Sequence, residues 1–121
     1  MALQENSPLN EVTVTAYMAD VSTAGSTFVA SPVRGYIRLA QSCTHAAITT
    51  ADCTWSLEIN NVAVTGSTGT IAFTAAAAGD VDSVVPTGAH YVQPGDTIEF
   101  KSAGESSGTV PTTFSATIRC I

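Results

Sequence analysis

The chain has 121 residues, 45% of them hydrophobic and only 12% charged, and its formal net charge of −6 leaves Arg34, Arg38, Lys101 and Arg119 as the basic residues. That length suits one domain with a two-layer core that needs no staples. The missing basic footprint excludes nucleic-acid binding by phosphate neutralisation and argues against an anionic membrane surface, and no apolar run is long enough to span a bilayer.

Small residues (alanine, threonine, serine, glycine and valine) take the place of the missing charges. A chain of this kind buries a core but keeps few charges to hold its outside monomeric, which predicts subunit contacts. The opening "MALQENSPLN" has neither a basic n-region nor a hydrophobic h-region, so it does not read as a secretory signal. Residues 1–10 are polar and contain Pro8; they read either as a frayed terminus or as an arm that orders on a neighbouring subunit. Residues 11–121 read as a single domain. Cys43, Cys53 and Cys120 make an odd count without a signal, which points to free thiols made in a reducing cytoplasm. Under oxidising conditions Cys43 and Cys53 are spaced to close a short loop.

From Glu11 the period is two. "EVTVTAYM" sets Val12, Val14, Ala16 and Met18 on one face and Thr13, Thr15 and Tyr17 on the other, a half-buried strand. After the turn-rich "DVSTAGST" comes a short strand that Pro32 ends or confines to an edge. "RGYIRLAQS" alternates Tyr36 and Arg38 against Ile37 and Leu39, and Gly35 predicts a bulge or a close backbone approach. "TWSLEINNVAVTG" predicts a hairpin. Trp55, Leu57 and Ile59 share its buried face, Asn60-Asn61 supply the positive φ of a two-residue turn, and Val62 and Val64 return on the partner strand. "GTIAFTA" continues with Ile71 and Phe73 inward. The "AAAAG" run is too short to nucleate a helix. Pro94-Gly95 fits the centre of a type II turn, with Ile98 and Phe100 inward beyond it, and the last strand sets Phe114, Ala116, Ile118 and Cys120 on one side. The pattern amounts to about eight or nine short strands with turn signals roughly every ten residues, an all-β antiparallel sandwich of jelly-roll-like kind.

No constellation of groups points to catalysis, so the chain is not expected to be an enzyme. Cys43 and His45 project to the same face of a strand, but a reactive thiol needs an electropositive, partly exposed site, and a small buried thiol is the plainer reading. Asp80 and Asp82 offer two carboxylates to one side of an extended segment. Calcium takes about six to eight oxygens, and a solvated acidic loop accounts for the pair without it. The histidines lack metal-ligand spacing, and the glycines fall at turns rather than in a phosphate cradle, so no cofactor and no metal is expected. Trp55, Tyr17, Tyr36 and Tyr91 are able to stack on sugar rings if exposed. Trp55 aligns with the core, and Tyr17 is the better exposed aromatic.

The order of "MADVSTAGSTFVASPVRGYI", "AAITTADCTWSLEINNVAVTG", "AAAAGDVDSVVPTGAHYVQPGDTIEF" and "GTVPTTFSATIRCI" resembles small capsid decoration (cement) proteins of tailed phages, from about Met18 to the C-terminus. Family hairpins commonly carry glycine where this chain has Asn60-Asn61, and the three cysteines look peculiar to this chain. The resemblance implies a structural virion protein, made in the bacterial host cytoplasm, that docks on the outer surface of the head. Its partner would be the major capsid protein, and it would act as a homodimer or homotrimer. Contact with capsid or sister subunits is expected at Leu3, Pro8 and Leu9 of the arm and at Tyr17. The alternative is a glycan-binding β-sandwich of fibre-tip or adhesin-like kind, which needs an exposed aromatic platform.

Overall fold

The computed structural model describes residues 10–121. Ten strands follow in order: β1 (Glu11–Met18), β2 (Gly25–Ala30), β3 (Gly35–Thr44), β4 (Cys53–Ile59), β5 (Val62–Ala63), β6 (Gly69–Ile71), β7 (Val81–Val84), β8 (Tyr91–Val92), β9 (Thr97–Ser102) and β10 (Thr112–Cys120). They form two antiparallel five-stranded sheets. One runs β1-β10-β3-β7 with β8 also paired to β3, and the other runs β2-β9-β4-β5 with β6 also paired to β4. The two sheets pack face to face as a jelly-roll-like β-sandwich, with one or two strands more than the sequence pattern suggests.

The core lies where alternation puts it. Ala16 and Met18 from β1, Ile37 and Ala40 from β3, and Phe114, Ala116 and Ile118 from β10 meet Trp55, Leu57 and Ile59 from β4 and Ile98 and Phe100 from β9. Phe114 is the keystone between the layers. It stacks on Phe100 with centroids 5.1 Å apart and receives the edge of Trp55 at 5.3 Å. Each fully buried aromatic or branched side chain here contributes about 1.5–3 kcal/mol through water exclusion.

Both expected turns form. Asn60 and Asn61 take φ of 49° and 68°, so Ile59 pairs with Val62 across a two-residue turn of type I′ character. Gly95 takes φ 90° after Pro94, as the second central position of a type II turn demands. The Asn60 side chain ties the two turns together, donating to Asp96 Oδ1 at 3.1 Å and accepting from Thr97 N at 2.9 Å.

Three expectations need correction. The bulge in β3 is at Arg38, where the pairing jumps from Thr117–Leu39 to Ile118–Ile37. The extra residue turns Leu39 outward, and Ala40, Ser42 and Thr44 take the inner positions. Gly35 serves the other anticipated purpose, close approach: a Cβ there would stand 2.0 Å from the Arg119 carbonyl oxygen. Phe73 is not inward, because β6 ends at Ile71 and the chain turns away, leaving the ring 44% exposed. Val62 is likewise exposed, and only Val64 of the returning strand is buried. All three cysteines are free thiols: Cys43 faces out from β3, while Cys53 lies in the core on β4 of the other sheet.

Candidate functional site

The outer face of the β1-β10-β3-β7 sheet is set by the same alternation that builds the core. Its cross-strand rows read Thr13–Thr117–Leu39, then Thr15–Ser115–Gln41–Ser83, then Tyr17–Thr113–Cys43–Val81. Hydroxyls pair along it: Thr13 Oγ1 lies 3.0 Å from Thr117 Oγ1, and Gln41 Nε2 donates to Ser83 Oγ at 3.1 Å. Charge gathers at one end only, where Arg38 Nε reaches Glu11 Oε2 at 2.6 Å beside Arg119. The row at the opposite end carries no charged side chain and holds two exposed large ones, Tyr17 at 59% and Val81 at 54%. There the Tyr17 ring stands 6.3 Å from the His45 ring, and His45 Nε2 lies 2.8 Å from Thr113 Oγ1. What this face offers is desolvation at low cost, because few charged groups must lose water when it is covered.

A second feature sits on the side of the sandwich where β8 meets the β4–β5 hairpin. Tyr36, Ile59, Val62, Ala89, His90 and Tyr91 line an open cleft of about 300 Å³. Tyr36 stands 5.2 Å from His90 and 5.3 Å from Tyr91, with the rings tilted by 51° and 59°. The backbone behind them is pinned: Ile37 N donates to His90 O at 2.9 Å, and Gly35–Val92 and Tyr36–Tyr91 are paired. A smaller cleft of about 250 Å³ on the other sheet is lined by Thr54, Trp55, Ser56, Thr68 and Lys101, with Lys101 Nζ held 3.1 Å from Glu58.

Of the residues singled out in the sequence, Leu3, Pro8 and Leu9 lie outside the described residues. Tyr17 is exposed as expected. Cys43 and His45 do share the outer face, but His45 is engaged with Thr113. Asp80 caps its own turn by accepting from Ala77 N. Burial, and then the neighbouring Asp80, raise the Asp82 carboxyl above its ordinary value. Among the described residues no group of three or more histidine, cysteine, aspartate or glutamate side chains is placed to hold a metal, and no helix is long and apolar enough to cross a membrane. The Tyr36–His90–Tyr91 cluster escaped the sequence reading, which treated Tyr36 and Tyr91 as separate aromatics. Only the long-range pairing of β8 with the start of β3 brings them together.

No family model matches the chain, and no curated protein matches it in sequence. Solved structures do. A family 35 carbohydrate-binding module from Clostridium thermocellum superposes with a TM-score of 0.50 at 14% identity, over 87% of this chain and 90% of that one. The catalytic unit of a GH87 α-1,3-glucanase from Streptomyces thermodiastaticus gives 0.51 at 11% identity, over 93% of this chain but 26% of the enzyme, so the chain spans about a quarter of that protein's length. The Eiger TNF of S. frugiperda gives 0.46 at 9% identity. At 14% and 11% identity the first two likenesses show the β-sandwich fold and nothing finer.

Proposed function

We propose that the chain is a structural decoration protein of a tailed-phage head, docking on the major capsid protein through the uncharged end of the β1-β10-β3-β7 face. The observation that carries this is the row Tyr17–Thr113–Cys43–Val81, a strip of exposed and half-exposed neutral side chains across four paired strands. Interface centres are depleted in charge and enriched in tyrosine, as this strip is. The resemblance in sequence supplies the partner, and the 12% charged share is in keeping with a protein that spends its working life against other subunits. Several such contacts from one homodimer or homotrimer would gain strength through effective concentration rather than from one tight site.

The test is co-sedimentation of the purified protein with expanded, decoration-free heads. Saturable binding is expected, weakened by Tyr17→Ala and abolished by Thr113→Arg, which sets a cation in the middle of the strip. Deleting residues 1–10 separates the arm from the face: loss of binding would assign docking to the arm. A wild-type protein that ignores the heads at any concentration overturns the reading.

A further inference from the structure

We infer that the cleft between Tyr36, His90 and Tyr91 on one side and Ile59 and Val62 on the other binds a single neutral pyranose ring. Its volume of about 300 Å³ stands at the small end of ligand sites, room for one ring and not for a buried chain. Its wall is made of amphipathic rings. Tyr36 is tilted by 51° and 59° to its two neighbours, and these three rings belong to half of the six lining residues. The C–H groups of a pyranose carry the partial positive charge that such faces attract, and tyrosine keeps a hydroxyl at its tip for the sugar's own hydroxyls. His90 adds its ring to this wall, while its Nδ1 is buried, without a hydrogen-bond partner among the described residues, and is not presented to the cleft.

The lining also says what the ligand is not. No lysine, arginine, aspartate or glutamate lines the cleft. A phosphate, uronate or sialate would therefore find no counter-charge there, and it would approach a chain of net charge −6. The cleft is built before any ligand arrives. One wall is fixed by the Ile37–His90 backbone bond, the other by the Asn60 tie to Asp96 and Thr97, and Ala89 between them is held at φ 50°. A side chain other than glycine persists in that region only where its surroundings impose it, and a preformed site loses less entropy on binding. This inference stands apart from the capsid reading, since it uses a different part of the surface.

The full-length protein would be titrated with the methyl glycopyranosides of glucose, galactose, mannose and N-acetylglucosamine and followed by NMR. At least one is expected to bind at about millimolar strength and to move the resonances of Tyr36, His90, Tyr91, Ile59 and Val62 together. Tyr36→Ala should weaken that binding by about tenfold or more. Tyr36 is 44% exposed, so the variant should fold, and Tyr91→Phe gives a second, milder loss if it does not. Both variants should still co-sediment with heads if the wild type does, which keeps the two proposals separable. No shift with any glycoside up to about 100 mM, shifts that map elsewhere, or cleft shifts with a hydrophobic peptide and none with sugars would overturn the inference.

Discussion

Gly69 lies directly across from Trp55 in the β4–β6 pair, and a Cβ at position 69 would stand 2.5 Å from Cε2 of the indole. The ring occupies the space that a side chain at 69 would need. It is 1% exposed and carries the edge contact to Phe114 that joins the two sheets. Gly69→Ala must therefore push the indole or split β6 from β4, at a cost of about 2–4 kcal/mol. Trp55 is the one tryptophan of the chain, so its fluorescence reports the event directly. The variant should show a lower melting midpoint and altered emission before any unfolding; native emission with an unchanged midpoint would contradict the packing described here.

The Asn60-Asn61 turn gives a prediction that separates two neighbours of identical type. Both have positive φ, but among the described residues Asn60 alone of the two makes side-chain hydrogen bonds, to Asp96 Oδ1 and Thr97 N. Asn61→Gly keeps everything the turn needs and should be neutral or stabilising by a few tenths of a kcal/mol, roughly, as the Asn-Gly pair is the better I′ turn. Asn60→Gly satisfies the backbone equally well yet removes both side-chain bonds, and should cost about 1–2 kcal/mol. Equal melting midpoints for the two variants would mean that the tie to the second turn contributes nothing.

These turns also mark the boundary of what local sequence reveals. Period-two alternation identifies the inner faces of β1, β4 and β10 from the residues alone, and Asn60-Asn61 and Pro94-Gly95 announce their turns through backbone chemistry confined to two positions. The Arg38 bulge carries no such mark. The residues on each side of it alternate correctly, so the slip that turns Leu39 outward and Ala40 inward shows only against β10. Phe73 misleads for the opposite reason: its spacing from Ile71 mimics a strand that has already ended. The aromatic cleft is illegible locally because Tyr36 and Tyr91 meet through a pairing between residues far apart in the chain. The uncharged face was half legible, since the outward Thr13, Thr15 and Tyr17 are in the pattern of β1 but their partners across the sheet depend on strand order.

Two aspartates should pull stability in opposite directions with pH. The Asp20 carboxylate accepts from Ser22 Oγ at 2.5 Å, Ser22 N at 3.0 Å, Val110 N at 3.1 Å and Thr23 Oγ1 at 3.1 Å. Led by the Ser22 hydroxyl, these bonds outweigh burial and hold its carboxyl below the ordinary 3.8. The unfolded chain binds that proton more tightly, so the contribution is complete above the ordinary value and is lost as pH falls through the depressed folded one. Asp82 is reversed: burial and then Asp80 raise it, so its charge subtracts from stability at neutral pH and the penalty fades as pH falls through the raised folded value. Asp20→Asn should destabilise at neutral pH by about 1 kcal/mol, a figure kept small because the carboxylate is partly exposed to solvent. Asp82→Asn should stabilise there. Both differences should shrink on acidification, and chemical denaturation at neutral and acid pH measures them. A gain from Asp20→Asn or a loss from Asp82→Asn at neutral pH would refute the assignment.

The three thiols should react in two classes. Cys53 is fully buried at the start of β4, and burial raises its thiol above the ordinary value, with Glu105, Asp20 and Asp52 adding to the rise against a lowering bond from Ser106. Reaction needs the thiolate and a path to it, and Cys53 lacks both in the folded state. Cys43 and Cys120 are half-buried on strand faces where a small reagent has access. In the native protein an aromatic disulfide reagent should titrate two thiols quickly. The third should follow on the timescale of core opening, slower by about 10³-fold or more for a domain of ordinary stability. Cys53→Ser should remove the slow phase and leave the fast one. It should also lower the melting midpoint, because a hydroxyl replaces a thiol in an apolar site. Three thiols reacting together would mean that β4, and with it the Trp55–Phe114 contact, opens far more readily than the packing of the two sheets implies.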